Sequence, residues 1–379
     1  MQSGSTSRRR LGLLAAAGLL VATNASAEFN ENWTAVLAKG SAAGLAAGLD
    51  GTSFVAVSHN NGSSLYGIDA DGSRSWRTKS KETFGGAATS ADGLSVIVAG
   101  NTNSGKFLVA SFSAASGKQE WSQTYVPANG FKAREAGVVS VSAKDGAIYA
   151  AGTISKAGVC CAYVVSRLET DGTLVWSHRT GNAAADQASV AAIAADPKGK
   201  GVFLSGNGTL DGAAAPFVAR YGSRDGDERW RTFFATSAAP ALTVSQSGKK
   251  IYIFAKKLDA NYFQIGLVTH KGKVKFFRPL LLDGNAGSRG SIALTDKDKS
   301  LLMVASVTDN SLNESGFLMK TNTKTSGPTL VLSAETDAAL GTWYRLVTST
   351  PSGDLLVLSN VFNQDTRANE APSVISYRE

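Results

Sequence analysis

Short apolar runs alternate with polar, glycine-bearing turns along this chain, four runs to a period, and the period itself repeats. The first run of each period is small and apolar, as in Gly85 to Ser90 and Val190 to Ala195. The second is the most apolar, as in Val96 to Ala99 and Ile251 to Phe254, which suits a strand covered on both faces. The third alternates around an aromatic or aliphatic pair, as in Phe107 to Phe112 and Tyr163 to Leu168. Turns such as Asp71-Gly72, Ser116-Gly117, Asp171-Gly172 and Asp225-Gly226 follow, and they read as hairpin loops. A fourth strand carrying tryptophan closes each period.

Those tryptophans are Trp33, Trp76, Trp121, Trp176 and Trp230, spaced by about 43 to 55 residues, and Phe277 and Leu330 continue the series. A four-strand unit recurring at that interval predicts an all-β, seven-bladed β-propeller. Small residues fit the first strands because strands crowd near the propeller axis. The bulky fourth-strand residues then fill the widening gaps between blades. The chain stops straight after a third strand, at Glu379, and Asn32 to Leu37 reads as an orphan fourth strand. The N-terminal strand is therefore expected to complete the seventh blade and cover the sheet edge that an open ring would leave.

The first 27 residues read as a removable export signal. Arg8, Arg9 and Arg10 form a basic start, Leu11 to Thr23 an apolar run, and Ala25-Ser26-Ala27 a small-residue cleavage site. Ser7-Arg8-Arg9-Arg10-Leu11 also resembles a bacterial twin-arginine signal, though an ordinary secretory start has the same appearance. The apolar run falls short of the roughly 20 residues that span a bilayer, so no integral membrane segment is expected. Residues 28–379 are expected to form one propeller domain in a secreted, periplasmic or cell-surface protein. Loss of the three arginines takes the formal net charge from +8 to +5. The remaining basic residues are scattered, which gives nucleic-acid binding no support. A monomer is expected.

Two cysteines are present, adjacent at Cys160-Cys161. In an oxidising compartment they either form a vicinal disulfide or sit as two small buried residues. A bond between neighbours closes almost no loop, so its use would be local stiffening or a contact surface.

Phe112-Ser-Ala-Ala-Ser-Gly117-Lys-Gln-Glu-Trp121-Ser and Leu168-Glu-Thr-Asp-Gly172-Thr-Leu-Val-Trp176-Ser resemble the repeat of the pyrroloquinoline-quinone-like propellers. That superfamily holds both quinoprotein dehydrogenases and non-catalytic scaffolds. The dehydrogenase branch implies eight blades, calcium beside the quinone and an axial carboxylate. This chain departs on each point, so no cofactor is expected, with quinone or calcium as the alternative. The paired cysteines are the feature that fits a quinone site.

Three histidines, His59, His178 and His270, fall in different blades with no nucleophile or metal-ligand partner. There is no haem-attachment, nucleophile-elbow or zinc-helix motif. Propeller ligands meet the face built by the blade-linking loops and the second-to-third-strand loops. There His59 and the arginines Arg77, Arg179, Arg231, Arg278 and Arg345 are the candidate ligand-binding residues, since guanidinium groups grip oxyanions with two bonds. The expected function is a non-catalytic binding or scaffold propeller for a protein or glycan. The alternative is a propeller enzyme with an axial pocket, a quinoprotein-like oxidoreductase or a lyase or hydrolase.

Overall fold

The computed structural model describes residues 30–378 apart from 126–129, 135–136, 157–158, 181–187, 281–284, 296–297, 309–313, 324–329, 334–339 and 364–370. The expected signal segment lies outside the described residues. At Cys160 the backbone is described and the side chain is not.

Period-two patterning produces strands throughout, and they assemble as seven antiparallel sheets around one axis. Asn30–Val36 (β1) stands apart at the start. Blade 1 is Ser41–Ala47, Ser53–His59, Gly62–Ile68 and Arg74–Ser80 (β2–β5). Blade 2 is Thr83–Thr89, Ser95–Asn101, Phe107–Ser113 and Gln119–Tyr125 (β6–β9). Blade 3 opens with the short Lys132–Ala133 (β10), then has Val138–Val141, Ile148–Lys156, Val159–Leu168 and Leu174–Thr180 (β11–β14). Both β10 and β11 pair with β12, one beyond the other. Blade 4 is Ser189–Ala195, Gly201–Leu210, Ala213–Gly222 and Glu228–Phe233 (β15–β18). Blade 5 is Ala241–Val244, Lys250–Lys256, Phe263–Thr269 and Val274–Leu280 (β19–β22). Blade 6 is Asn285–Leu294, Ser300–Thr308, Glu314–Asn322 and Leu330–Ser333 (β23–β26). Blade 7 is Leu340–Ser349, Leu355–Asn363 and Ser373–Arg378 (β27–β29), and β1 completes it in the order β1-β29-β28-β27. The expected closure is thus present, and among the described residues no helix is long and apolar enough to cross a membrane.

Packing follows the predicted gradient from small at the axis to bulky outside. First strands approach backbone to backbone: a side chain at Gly44 would overlap Gly86 and Ala87 of the next blade. Farther out, the apolar clusters are interblade. One joins Tyr149, Tyr163 and Trp176 of blade 3 to Val202, Phe217 and Tyr221 of blade 4.

The tryptophans lock neighbouring blades together. Each indole from Trp33, Trp76, Trp121, Trp176 and Trp230 lies on the hairpin glycine of the following blade, respectively Gly72, Gly117, Gly172, Gly226 and Gly272. All five glycines have positive φ, between 66° and 87°. A Cβ at any of them would sit less than 3.0 Å from the ring, so glycine is required both for the turn and for the approach. The indole nitrogen then donates to a carbonyl of the same turn: Trp33 to Ala70 (2.7 Å), Trp76 to Ala114 (2.8 Å), Trp176 to Ser223 (3.0 Å) and Trp230 to His270 (2.8 Å). Two residues past tryptophan, Thr78 and Thr232 donate to the carbonyls of Gly117 and Gly272.

In blade 5 the series runs through Phe276, not Phe277. Trp76 stands opposite Gly67, one pair beyond the strand's bulge, and in the matching place Phe276 stands opposite Leu267. Phe277 turns the other way, edge-on to Phe234 of blade 4 at 5.7 Å. Because side chains alternate across a strand, a register error of one residue reverses the face. The side chain of Leu330 lies outside those described.

Candidate functional site

At the centre of the ring, first-strand starts and second-strand ends from all seven blades enclose a cavity of about 1070 Å³. This is the face on which the sequence placed ligand binding. Small residues make most of the wall, Ala191, Ala239 and Gly290 among them, with Ser41, Ser58, Ser189, Ser291 and Ser306 supplying hydroxyls. Asn207, Lys256 and Arg345 are its larger polar groups, and no Asp, Glu or His occurs among the described lining residues.

The wall is well ordered by internal bonds. Ser58 donates to the Phe84 carbonyl (2.8 Å), and the Asn207 amide donates to the Ser189 hydroxyl (3.3 Å). The Lys256 ammonium donates to the Ala286 carbonyl (2.8 Å) across the blade 5 to blade 6 boundary.

Of the six candidate residues, Arg345 alone lines this cavity, from β27. Arg77, Arg179, Arg231 and Arg278 lie within the fourth strands β5, β14, β18 and β22, and not in the segments that join blades. Their guanidinium groups cover aromatic rings: Arg77 over Tyr66, Arg179 over Phe131, Arg231 over Phe217 and Arg278 over Phe276, at 4.2 to 5.2 Å from the ring centre. Such stacking is worth about 0.5–1 kcal/mol or more where the ring is dry.

His59 and Arg77 do come together, on Ser64. The Ser64 hydroxyl accepts from Arg77 Nε (3.2 Å) and Nη2 (3.0 Å), and it lies 3.0 Å from His59 Nε2. His59 Nδ1 is 2.8 Å from the Lys39 carbonyl, which can only accept, so Nδ1 carries a proton. Ser64 then donates to Nε2. This is a closed structural network in which each group already has a partner.

Arg231 anchors a larger one between blades 3 and 4. Its guanidinium pairs with Glu228 and donates to the Tyr163 hydroxyl (2.8 Å), which meets the Tyr221 hydroxyl at 2.6 Å. Tyr221 in turn donates to Glu228 (2.9 Å). Burial raises the pKa of both tyrosines above the ordinary phenol value. Burial alone would lower that of Arg231, but the hydrogen bond and charge of Glu228 outweigh it and raise it. Neutral phenols and an ion pair at neutral pH make this a permanent clamp.

His178 takes the place of the threonine in the tryptophan lock, two residues past Trp176, and its Nε2 donates to the Asp225 carbonyl (2.9 Å). His270 stands in the blade 5 hairpin, as expected. Arg134 Nη1 lies 2.7 Å from the sulfur of Cys161, which is disulfide-bonded and has a φ of 105°. The described residues contain no cluster of three or more potential metal ligands.

Sequence reasoning missed Lys256 as a wall residue fixed by a specific bond, and it missed the turn-capping role of the residue two past Trp76, Trp176 and Trp230. The recurrent Trp-x-Thr at Trp76 and Trp230 was the available signal.

Comparison with known proteins agrees with this architecture. Residues 18–243 match a family model described as outer membrane protein assembly factor BamB. No curated protein matches the chain. Among solved structures, a chain of the "Crystal Structure of Mitotic Checkpoint Complex" is similar, with a TM-score of 0.60 over 99% of each chain at 12% identity. At that identity the likeness is one of fold, and a propeller fold alone selects no function. The family match spans more than half of the sequence and includes the repeats that carry the tryptophan lock; the chain belongs to the BamB-type family of pyrroloquinoline-quinone-like propellers.

Proposed function

We propose that this chain is an exported, non-catalytic scaffold that binds a partner protein through its axial face. The observation that carries the proposal is the central cavity, walled by all seven blades and free of Asp, Glu and His among its described lining residues. Acid–base catalysis draws on those groups, whereas a rigid concave surface with hydroxyl and amide groups suits recognition. The name of the matched family, an assembly factor for outer membrane proteins, supports a protein partner and a place outside the cytoplasm. The basic start and apolar run before Ala27 support cleavage of a signal segment during export.

Site-specific photocrosslinking in cells tests this reading. A crosslinker at Ala239, on the cavity wall, is expected to capture a discrete protein partner. One at Leu174, 41% exposed on an outer strand, is expected to capture none. Capture from Leu174 without capture from Ala239 would move the binding surface to the perimeter and overturn the proposal.

A further inference from the structure

The axial cavity is walled by first-strand starts and second-strand ends. The opposite face of the ring is built by the turns that join first to second strands and third to fourth. In blades 4 and 5 these turns are residues 196–200, 223–227, 246–250 and 270–273. They carry Lys198, Lys200, Lys249, Lys250, Lys271 and Lys273, all of them exposed. These lysines are scattered in sequence, and they gather because alternate turns of adjacent blades share one face.

The turns hold them in fixed places. Gly199, Gly226, Gly248 and Gly272 each have a positive φ, between 68° and 82°. The His270 amide donates to the Lys249 carbonyl (3.1 Å), which joins the two turns of blade 5. Gly248 abuts the Asp196 carboxylate of blade 4 so closely that a Cβ there would overlap it. The carboxylates of the same turns are mostly occupied elsewhere. Asp196 is buried against Arg220 (3.4 Å), Asp225 pairs with Arg229, and Asp227 shares its turn with Arg224. Among the described residues no carboxylate forms an ion pair with any of the six lysines. In sequence, the next turn, 295–300, has two aspartates and two lysines, which leaves the balance unchanged. The corresponding turns of blades 1 to 3 carry Asp50, Asp71, Asp92 and Asp171. The field of this face is therefore directional, and its lysine side leads toward an anionic surface.

We infer that this face docks on an anionic phospholipid surface, blades 4 and 5 foremost, with the axial cavity on the side away from the lipid. None of the large apolar side chains exposed among the described residues falls in these four turns. Protein interfaces deplete lysine and anchor on buried aromatic or apolar groups, so a protein partner fits this face poorly. Nucleic acid is gripped by arginine forks and stacking aromatics, and the four turns hold no aromatic side chain besides His270. Lysine is a compact, mobile point charge, which suits a fluid array of headgroup phosphates. Clusters of this size are what an anionic bilayer attracts, each lysine near the surface adding roughly fivefold to binding.

The test is co-sedimentation of the full chain with vesicles of phosphatidylcholine alone or mixed with phosphatidylglycerol at roughly three to one. Binding to the mixed vesicles is expected to be at least about tenfold stronger, and to fall as salt rises. Lys249→Gln, Lys250→Gln, Lys271→Gln and Lys273→Gln together should remove most of that preference. Lys198→Gln with Lys200→Gln, in the neighbouring blade, is an independent variant and should lower it by a smaller factor. Lys79→Gln, Lys81→Gln, Lys106→Gln and Lys132→Gln together remove the same charge from the opposite face and should leave the preference intact. Equal binding to both kinds of vesicle, or binding to neither, would overturn the inference. So would an equal loss in the two fourfold variants, which would reduce the effect to net charge. Tighter binding to a double-stranded oligonucleotide than to the mixed vesicles would assign the face to nucleic acid and overturn it as well.

Discussion

At the scale of single residues, four of the candidate arginines, Arg77, Arg179, Arg231 and Arg278, stack on aromatic rings of the framework, and the contribution of that packing is measurable. Arg231 bridges Glu228 and Tyr163 over the ring of Phe217, with its side chain 22% exposed. Arg231→Ala strands the Glu228 carboxylate and the two buried phenols. Loss of one partner of a fully buried pair costs about 3–5 kcal/mol, and partial exposure here reduces that to about 2 kcal/mol. Urea unfolding should show this loss, while crosslinking from Ala239 should persist because Arg231 lies away from the cavity wall. Trp230 makes a sharper case. Trp230→Ala removes an indole wedged on Gly272 and should cost about 3 kcal/mol, the lower end for a large aromatic because the ring is only partly buried. Trp230→Phe keeps most of the packing but loses the bond to the His270 carbonyl, so about 1 kcal/mol is expected. Equal losses for the two variants would show that the hydrogen bond, and not the wedge, holds the blades together.

At the scale of strands and turns, the sequence was legible wherever the backbone imposed a rule and illegible where a side chain had a choice of face. Hairpin glycines and apolar second strands located every blade, because positive φ and double-sided burial each leave a narrow set of residues. Phe276-Phe277 defeated the same reading: both are large, both suit a strand, and period two alone cannot say which one faces blade 6. The interval from hairpin glycine to tryptophan could have decided it, since Gly72 to Trp76 and Gly226 to Trp230 span the same four residues as Gly272 to Phe276. Arg77 and Arg179 were misplaced into linkers for a related reason. An outer strand is polar on its exposed positions and so resembles a loop. The hairpin aspartates supply a test of the turns themselves. Asp71, Asp171 and Asp225 have lowered pKa values, through hydrogen bonds from Ser73, Thr173 and Asp227. A carboxyl with a folded pKa below its unfolded value near 3.9 adds stability above that value, and the contribution is lost as pH falls through the lower, folded value. Unfolding midpoints should therefore drop on acidification below about pH 4. In Asp71→Asn with Asp171→Asn the drop should be shallower, because asparagine keeps the turn's acceptor without a titrating proton. An unchanged slope would locate the acid sensitivity elsewhere.

At the scale of the whole molecule, the ring depends on a join that is remote in sequence. β1 pairs with β29 from Asn30 opposite Arg378 to Val36 opposite Ser373, and no covalent turn links the two strands. Arg378 clasps Asp354 in the neighbouring turn (2.9 Å), and Trp33 carries the tryptophan lock across the same seam by packing on Gly72 of blade 1. One seven-residue strand thus closes the seventh sheet and ties the last blade to the first. Every other blade is held on both sides by chain connectivity as well as packing, so the seam is where a seven-bladed ring should open first. A chain beginning at Ser41 should keep six complete blades yet expose the β29 edge, with its unpaired backbone donors and acceptors. Its thermal transition is expected to be lower and broader, with oligomers visible by size-exclusion chromatography with light scattering. A synthetic peptide of residues 28–39 should restore both the transition and the monomer, since it supplies the strand and the indole together. The same peptide with Trp33→Ala should pair with β29 but restore the transition only in part. If the truncated chain melts like the full one, closure would rest on the first-strand contacts at the axis and not on the N-terminal strand, and the cavity geometry on which partner binding depends would be set from the inside of the ring outward.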